Sequence, residues 1–252
     1  MTKPKRIVLK FGTGVLSQGE GGRALDTEQI AGIAREVAAL RLDGIQCVIV
    51  SSAAVAAGVS RLGLSARPTE LAAKQACAAV GQPELMLLYS NAFAKHKLTV
   101  AQLLLTHDDL DSRTRNKNAS NTLNRLLDCG VVPIINENDS VATQEMQFGD
   151  NDQLAAQVAQ LVEADHLLLL TRSDGVTDAS GRRISIVKNL DEAYALVRPE
   201  KGEFSVGGMK SKLDAVGKAL AEGIHVTILD GRMLEQIPLA VYGGDVGTRF
   251  LP

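Results

Sequence analysis

The sequence predicts an α/β fold built on a mainly parallel sheet. Short apolar, β-branched runs alternate along the chain with longer segments of helical period, which is typical of parallel strands joined by crossover helices. The 252 residues suffice to bury a sizeable apolar core, and no strong linker interrupts them. We therefore expect a single domain over residues 1–252.

The elements follow in order along the chain. Arg6–Phe11 is the first strand, and after the glycine-rich segment G-T-G-V-L-S-Q-G-E-G-G the apolar positions of Thr27–Leu42 predict an amphipathic helix closed by Gly44. Further strands are predicted at residues 47–50, 100–105, 131–135, 166–170 and 225–229. Further helices are predicted at residues 69–93, 112–127, 151–161 and 208–222, and the polar stretch 173–183 resembles a surface hairpin.

Composition limits the function classes. The formal net charge is -2 without a basic tract, so we expect no nucleic-acid or membrane partner. The N-terminal apolar run is too short for a signal peptide, and no stretch reaches membrane-spanning length. Cys47, Cys77 and Cys129 have apolar neighbours and are expected to be reduced core thiols. These features predict a cytoplasmic protein.

Ligands of open parallel sheets bind where loops leave the carboxyl ends of the strands. The first such loop, K-F-G-T-G, places Lys10 before two glycines that would let the backbone approach an anion. This loop fits neither a Walker A motif nor a G-x-G-x-x-G fingerprint. The second loop, S-S-A-A, leads into an alanine-rich helix, where Ser52 could serve a ligand or simply cap the helix.

A third loop, G-G-M-K-S-K, places Lys210 and Lys212 in the first turn of a helix. Lysines there oppose the helix dipole, so an anion nearby would stabilise them.

An acidic stretch, I-N-E-N-D-S-V-A-T-Q-E-M-Q-F-G-D-N-D over residues 135–152, follows a predicted buried strand. On residue types alone it could hold a metal ion, bind a cationic group or be solvated. Glu137 and Glu145 have solvation as their default interpretation.

In order and spacing these motifs resemble the glutamate 5-kinase family of amino-acid kinases. The matching segments span nearly the whole chain: K-F-G-T-G-V-L, A-A-V-G-Q, N-A-S-N-T-L, I-N-E-N-D-S-V-A-T, F-G-D-N-D-Q-L, L-L-L-L-T and G-G-M-K-S-K. The resemblance implies a three-layer αβα sandwich. It also implies transfer of a phosphoryl group from ATP to the γ-carboxylate of L-glutamate, the first step of proline biosynthesis.

The resemblance also implies residue roles. Three residues are expected to be catalytic: Lys10, Lys212 and Asp150, with Asp150 orienting the lysines. Three are expected to bind glutamate: Ser52, Asp139 and Asn151. The ATP-binding positions would be Lys10, Gly12, Thr171, Arg172, Gly207, Gly208, Met209 and Lys212. Glu137, Asp139, Asp150 and Asp152 together are interpreted as an amine-binding and positioning group rather than a metal site, because Mg²⁺ would bind mainly through the ATP phosphates.

The chain departs from the family pattern at two informative positions. Ala53 replaces the glycine of T-S-G-A, and Arg172 replaces the aspartate that follows Thr171. Two alternatives therefore stay open: a catalytically weak relative that binds glutamate or proline as a regulatory subunit, and a kinase of another small acid. A homo-oligomer and feedback inhibition by proline are expected from the family. Many relatives carry a C-terminal PUA domain, and the resemblance is to a form without it.

Overall fold

The computed structural model describes residues 3–19, 24–142, 151–196 and 208–252. The strands are β1 Arg6–Phe11, β2 Ser17–Gln18, β3 Ala24–Leu25, β4 Gln46–Val50, β5 Val100–Leu105, β6 Val132–Glu137, β7 His166–Thr171, β8 Ile186–Val187, β9 His225–Asp230 and β10 Thr248–Phe250. Eight of these form one sheet in the order β5-β6-β4-β1-β7-β9-β10-β8, and β2 pairs with β3 separately. The central pairs are parallel and only β10 runs antiparallel to its neighbour β9, so the mainly parallel sheet is confirmed.

Helices cover both faces of this sheet. They are α1 Thr13–Leu16, α2 Thr27–Leu42, α3 Ala54–Arg61, α4 Leu71–Ala94, α5 His107–Asp111, α6 Arg113–Asp128, α7 Asp152–Leu161, α8 Leu190–Leu196, α9 Met209–Ala221 and α10 Gln236–Val241. One apolar core packs α6, α7 and α9 against the sheet, and a second packs α2, α4 and α10 against the opposite face. Alternate residues of β1 enter the two cores, since Val8 lies in one and Leu9 in the other. The three-layer αβα sandwich is thus confirmed.

The predicted bounds of the main strands and helices agree with the structure to within two residues. An isolated antiparallel bridge between Thr177 and Arg183 agrees with the predicted hairpin. Two expectations were wrong. Cys129 is exposed because it caps the end of α6, whereas Cys47 and Cys77 are buried as expected. Glu137 is not a solvated loop residue, since it ends β6 and is only 5% exposed.

Helices α3 and α4 approach each other at two glycines. A Cβ atom on Gly58 would lie 1.9 Å from the carbonyl oxygen of Cys77, and one on Gly81 would lie 1.9 Å from that of Ala54. No larger residue fits at these points without moving a backbone. The close crossing fixes the loop that joins β4 to α3, which carries Ser52. In the described ranges, no helix combines the length and apolar character needed to span a bilayer.

Candidate active site

Two lysines meet at the carboxyl edge of the sheet around one carboxylate. Lys10 Nζ lies 2.6 Å from Asp152 Oδ1, and Lys212 Nζ lies 3.1 Å from Asp152 Oδ2. The side chains of Lys10, Asp152 and Lys212 are 4%, 0% and 11% exposed. Solvent screens such buried charges little, so the shared carboxylate holds both ammonium groups close together.

Three separate elements deliver these charges. Lys10 belongs to β1, Asp152 opens α7, and Lys212 lies in the first turn of α9. An aspartate at a helix N-terminus is favoured by the helix dipole, whereas a lysine there is disfavoured. Asp152 therefore offsets the unfavourable position of Lys212. It is an anion of the kind that the sequence predicted near the lysines of G-G-M-K-S-K.

The carboxylate between the lysines is Asp152, whereas the sequence interpretation gave that role to Asp150. Asp150 lies outside the described residues, and its expected role remains a prediction. The pattern of buried positions in α7 could have distinguished Asp152 from Asp150 in the sequence. Ala155, Ala156 and Ala159 are buried, and they follow Asp152 by three, four and seven residues. This spacing puts Asp152 on the inward face of α7.

The K-F-G-T-G loop runs beside Lys10 and the end of β7. The backbone N–H of Gly12 donates to the carbonyl of Leu170 at 3.3 Å, and a Cβ atom on Gly12 would lie 3.6 Å from Lys10 Nζ. Glycine thus keeps space open beside an ammonium group. A Cβ atom on Gly14 would lie 2.5 Å from Cδ of Arg172, whose exposed side chain crosses the loop.

The other expected nucleotide positions border the same edge. Thr171 ends β7 and is half-buried, while Gly208 and Met209 begin α9 and are half-buried. Gly207 lies outside the described residues. The structure thus brings Lys10, Gly12, Arg172 and Lys212 to one side of the sheet edge.

Asn151 directly precedes Asp152, and its side-chain amide nitrogen donates hydrogen bonds to buried acceptors. Its Nδ2 points to the carbonyl of Ser51 at 2.6 Å, to Asn136 Oδ1 at 2.8 Å and to Ser52 Oγ at 3.2 Å. Because these acceptors use the amide nitrogen, Asn151 Oδ1 remains an acceptor. No hydrogen bond to that oxygen occurs among the described residues.

A buried chain of amides fixes this orientation. The backbone N–H of Glu137 donates to Asn136 Oδ1 at 2.9 Å, which identifies that atom as oxygen. Asn136 Nδ2 then donates to Gln82 Oε1 at 2.9 Å, and Gln82 Nε2 donates to Gln102 Oε1 at 2.8 Å. Sequence reasoning missed Asn136, Gln82 and Gln102 as site-supporting residues, although the N-E-N-D and A-V-G-Q segments contain two of them.

Asp139 lies in the loop after β6 and is half-buried. Burial raises the pKa of its carboxyl to about 6, and the positive charge of Arg67 opposes part of that rise. A desolvated carboxylate of this kind gains more from a bound cation than a fully solvated one does.

Ala53 departs from the usual backbone of a non-glycine residue. It precedes α3 with φ 79° and ψ 6°, in the left-handed region, and is 5% exposed. Its neighbour Ser51 is anchored by a 3.1 Å hydrogen bond between its hydroxyl and that of Tyr89. The surroundings therefore impose a conformation for which glycine is better suited.

The described side chains do not fit a metal held by the protein itself. No group of three or more His, Cys, Asp or Glu side chains in the described ranges is arranged to hold a metal ion. Asp152, the carboxylate at the centre of the site, already faces two lysines. We therefore assign no metal ligand among these residues.

Comparison with known proteins agrees with this geometry. Residues 5–230 match the model of the amino acid kinase family. The fold is similar to that of N-acetylglutamate synthase from Neisseria gonorrhoeae complexed with coenzyme A and N-acetyl-glutamate. The TM-score is 0.71 at 18% identity, over 98% of this chain and 59% of that one.

Sequence similarity is closer to another group. The chain is 48% identical to the glutamate 5-kinase of Thermus thermophilus, over 98% of its own length and 67% of the relative's. It is 44% identical to the glutamate 5-kinase of Citrifermentans bemidjiense, over 100% of its own length and 69% of the relative's. The chain belongs to the amino acid kinase family and, within it, groups with the glutamate 5-kinases.

Proposed function

We propose that this chain transfers the γ-phosphoryl group of ATP to the γ-carboxylate of L-glutamate, giving L-glutamyl 5-phosphate and ADP. The observation that carries the proposal is the buried pair of lysines around Asp152, with the glycine loop beside Lys10 and the Asn151 amide directly before Asp152. The identity to glutamate 5-kinases supports glutamate as the acceptor.

The reaction needs little covalent participation by the protein. A carboxylate oxygen of glutamate attacks the γ-phosphorus, the bond from phosphorus to the β,γ-bridging oxygen breaks, and ADP leaves with that electron pair. Phosphoryl transfer depends on positioning and on positive charge near the transferring oxygens. Lys10 and Lys212 supply two such charges from opposite elements, and Asp152 keeps them near each other. The γ-carboxylate is already ionised at neutral pH, so the step needs no general base.

Glutamate would lie on the amide side of the lysine pair. Its α-ammonium group would donate to Asn151 Oδ1 and pair with Asp139, while Ser52 and the N-terminus of α3 face its α-carboxylate. Because the pKa of Asp139 is about 6, the same carboxylate would be largely ionised at pH 7 and available for an ammonium group.

ATP would lie on the glycine-loop side, with its phosphates toward Lys10, Gly12, Gly208 and Lys212. Met209 and Thr171 border this side in our assignment, and Gly207 keeps its expected nucleotide-binding role. Mg²⁺ would arrive bound to the ATP phosphates. The retained lysine pair argues against the alternative of a catalytically weak regulatory subunit.

Trapping the acyl phosphate tests this function. Protein, ATP, Mg²⁺, glutamate and hydroxylamine should yield glutamyl hydroxamate, with aspartate and N-acetylglutamate as competing acceptors. A Lys10→Ala variant provides the background. Hydroxamate no higher than that background, or a higher rate with another acid, would overturn the proposal.

Three further expectations stay proposals: a homo-oligomer and proline inhibition, both from the family, and a cytoplasmic location, from the sequence composition. A homo-oligomer would be detected by light scattering, and proline inhibition by titrating proline into the hydroxamate assay. A cytoplasmic location could be tested by fractionation of the source cells.

A further inference from the structure

The side chain of Arg172 occupies a defined place beside the glycine loop. A Cβ atom on Gly14 would lie 2.5 Å from Arg172 Cδ and 3.2 Å from its Cγ. The aliphatic part of Arg172 therefore rests on the backbone at Gly14, and the missing side chain there makes room for it. Such packing restricts the stem while the guanidinium group stays at the surface.

A second arginine, Arg232, holds the backbone of Arg172. Arg232 Nη2 donates to the carbonyl oxygen of Arg172 at 3.1 Å, and the backbone N–H of Gly231 donates to Thr171 at 2.8 Å. The charge of Arg232 is matched by Asp230, whose Oδ2 lies 2.5 Å from Arg232 Nη2. The hydrogen bonds of Arg232 hold the pKa of Asp230 below its usual range, and the charge of Arg172 contributes to this shift.

Among the described residues Arg172 lacks the close ion pair that Arg232 makes with Asp230, although its charge also acts on that carboxylate. Its guanidinium group makes no ion pair or hydrogen bond with a residue of the described segments. A positioned, exposed guanidinium offers a planar set of N–H donors, which matches phosphate oxygens well.

Arg172 also lies off the reacting centre. Lys10 Nζ is adjacent to Gly12, whereas Arg172 contacts Gly14, two residues further along the loop. A polyphosphate whose transferred group lies at Lys10 would run past Gly12 toward Arg172. The guanidinium would then meet a phosphate that stays with the leaving nucleotide.

We propose that Arg172 binds a non-transferred phosphate of the nucleotide donor and makes the phosphate chain, rather than the base, the main recognition element on this side of the site. The inference rests on the proposed function, because it assigns one part of the donor to one residue. A contact to a phosphate that does not react contributes equally to ground state and transition state, so it lowers KM without raising kcat.

Two competitors of ATP separate the phosphate chain from the base. In the hydroxamate assay, inorganic tripolyphosphate should inhibit Arg172→Ala about tenfold more weakly than the parent protein, as expected for loss of a charge-assisted contact. Inhibition by adenosine should be unchanged, and the KM for ATP should rise by a larger factor than kcat falls. Arg172→Lys should retain part of the tripolyphosphate binding, because it keeps the charge but loses the planar fork.

Arg182→Ala is a matched control, because Arg182 is 83% exposed and pairs with Asp178 in the hairpin. Unchanged tripolyphosphate inhibition in Arg172→Ala, or a loss of adenosine inhibition instead, would overturn the inference. Calorimetry of tripolyphosphate binding to parent and variant gives the same comparison without turnover. An absence of hydroxamate in the parent protein would therefore count against the proposed function and leave the Arg172 test intact.

Discussion

Replacing Asp152 with Asn removes the charge between the two lysines while nearly preserving side-chain shape. Asp152 is fully buried, and its oxygens lie 2.6 Å from Lys10 Nζ and 3.1 Å from Lys212 Nζ. Removing one partner of a buried ion pair typically costs about 3–5 kcal/mol, because the remaining charge stays desolvated. For a protein of this size the melting temperature should fall by roughly 10 °C.

Activity should fall further than stability alone would explain. Without the shared carboxylate the two ammonium groups repel each other and move apart. Loss of a group that stabilises charge in the transition state typically lowers kcat by about 10²–10³-fold. Hydroxamate formation should be measured well below the melting temperature of the variant, with Asp152→Glu as a partial rescue. Asp191→Asn, an exposed acid in the first turn of α8, controls for the helix dipole. A variant with unchanged kcat would refute the assignment of Asp152.

Three other substitutions test separate parts of the account. Ala53→Gly should raise stability by about 1 kcal/mol, because glycine adopts a positive φ without a steric penalty, and thermal melting measures the change. Gln82→Leu should raise KM for glutamate more than KM for ATP, since it cuts the amide chain behind Asn151, and steady-state kinetics separates the two constants. Burial, with smaller contributions from the charges of His225 and Arg249, lowers the pKa of His166 to about 4. The unfolded chain therefore binds a proton at about pH 6.5 that the folded chain accepts only near pH 4. The free energy of unfolding should therefore fall by up to about 3 kcal/mol as the pH is lowered from about 6.5 to about 4. In urea titrations, His166→Gln should lose less stability over the same range.

For each of these three predictions, one experimental outcome would contradict it. Ala56→Gly, inside α3, should destabilise, so a similar loss in Ala53→Gly would refute the strain argument. Equal changes in both Michaelis constants for Gln82→Leu would indicate general damage to the fold. An unchanged pH slope in His166→Gln would show that other groups dominate the acid response.

Local sequence signals predicted the fold well. The apolar run of β7 and the helical period of α2 depend on neighbouring residues alone, so both elements were predicted to within one residue. The antiparallel pairing of β10 with β9 depends on contacts between distant parts of the sheet, which periodicity does not encode.

The candidate site was predictable only in part. Lys10 and Lys212 could be selected because a strand end and a helix N-terminus mark them, and the structure brings them together. The choice between the two aspartates of G-D-N-D needed the phase of α7. The link between Gln82 and Gln102 joins residues 20 positions apart, and only the packing of α4 against β5 makes it visible.

The most direct test of the central claim follows an oxygen atom. Glutamate labelled with ¹⁸O in its γ-carboxylate is incubated with the protein, ATP, Mg²⁺ and hydroxylamine, and the released phosphate is analysed by mass spectrometry. If the carboxylate attacks the γ-phosphorus, hydroxylamine cleaves the acyl C–O bond, and each phosphate released with hydroxamate carries one ¹⁸O atom. Unlabelled phosphate accompanying ADP would show that water is the acceptor and would contradict the account.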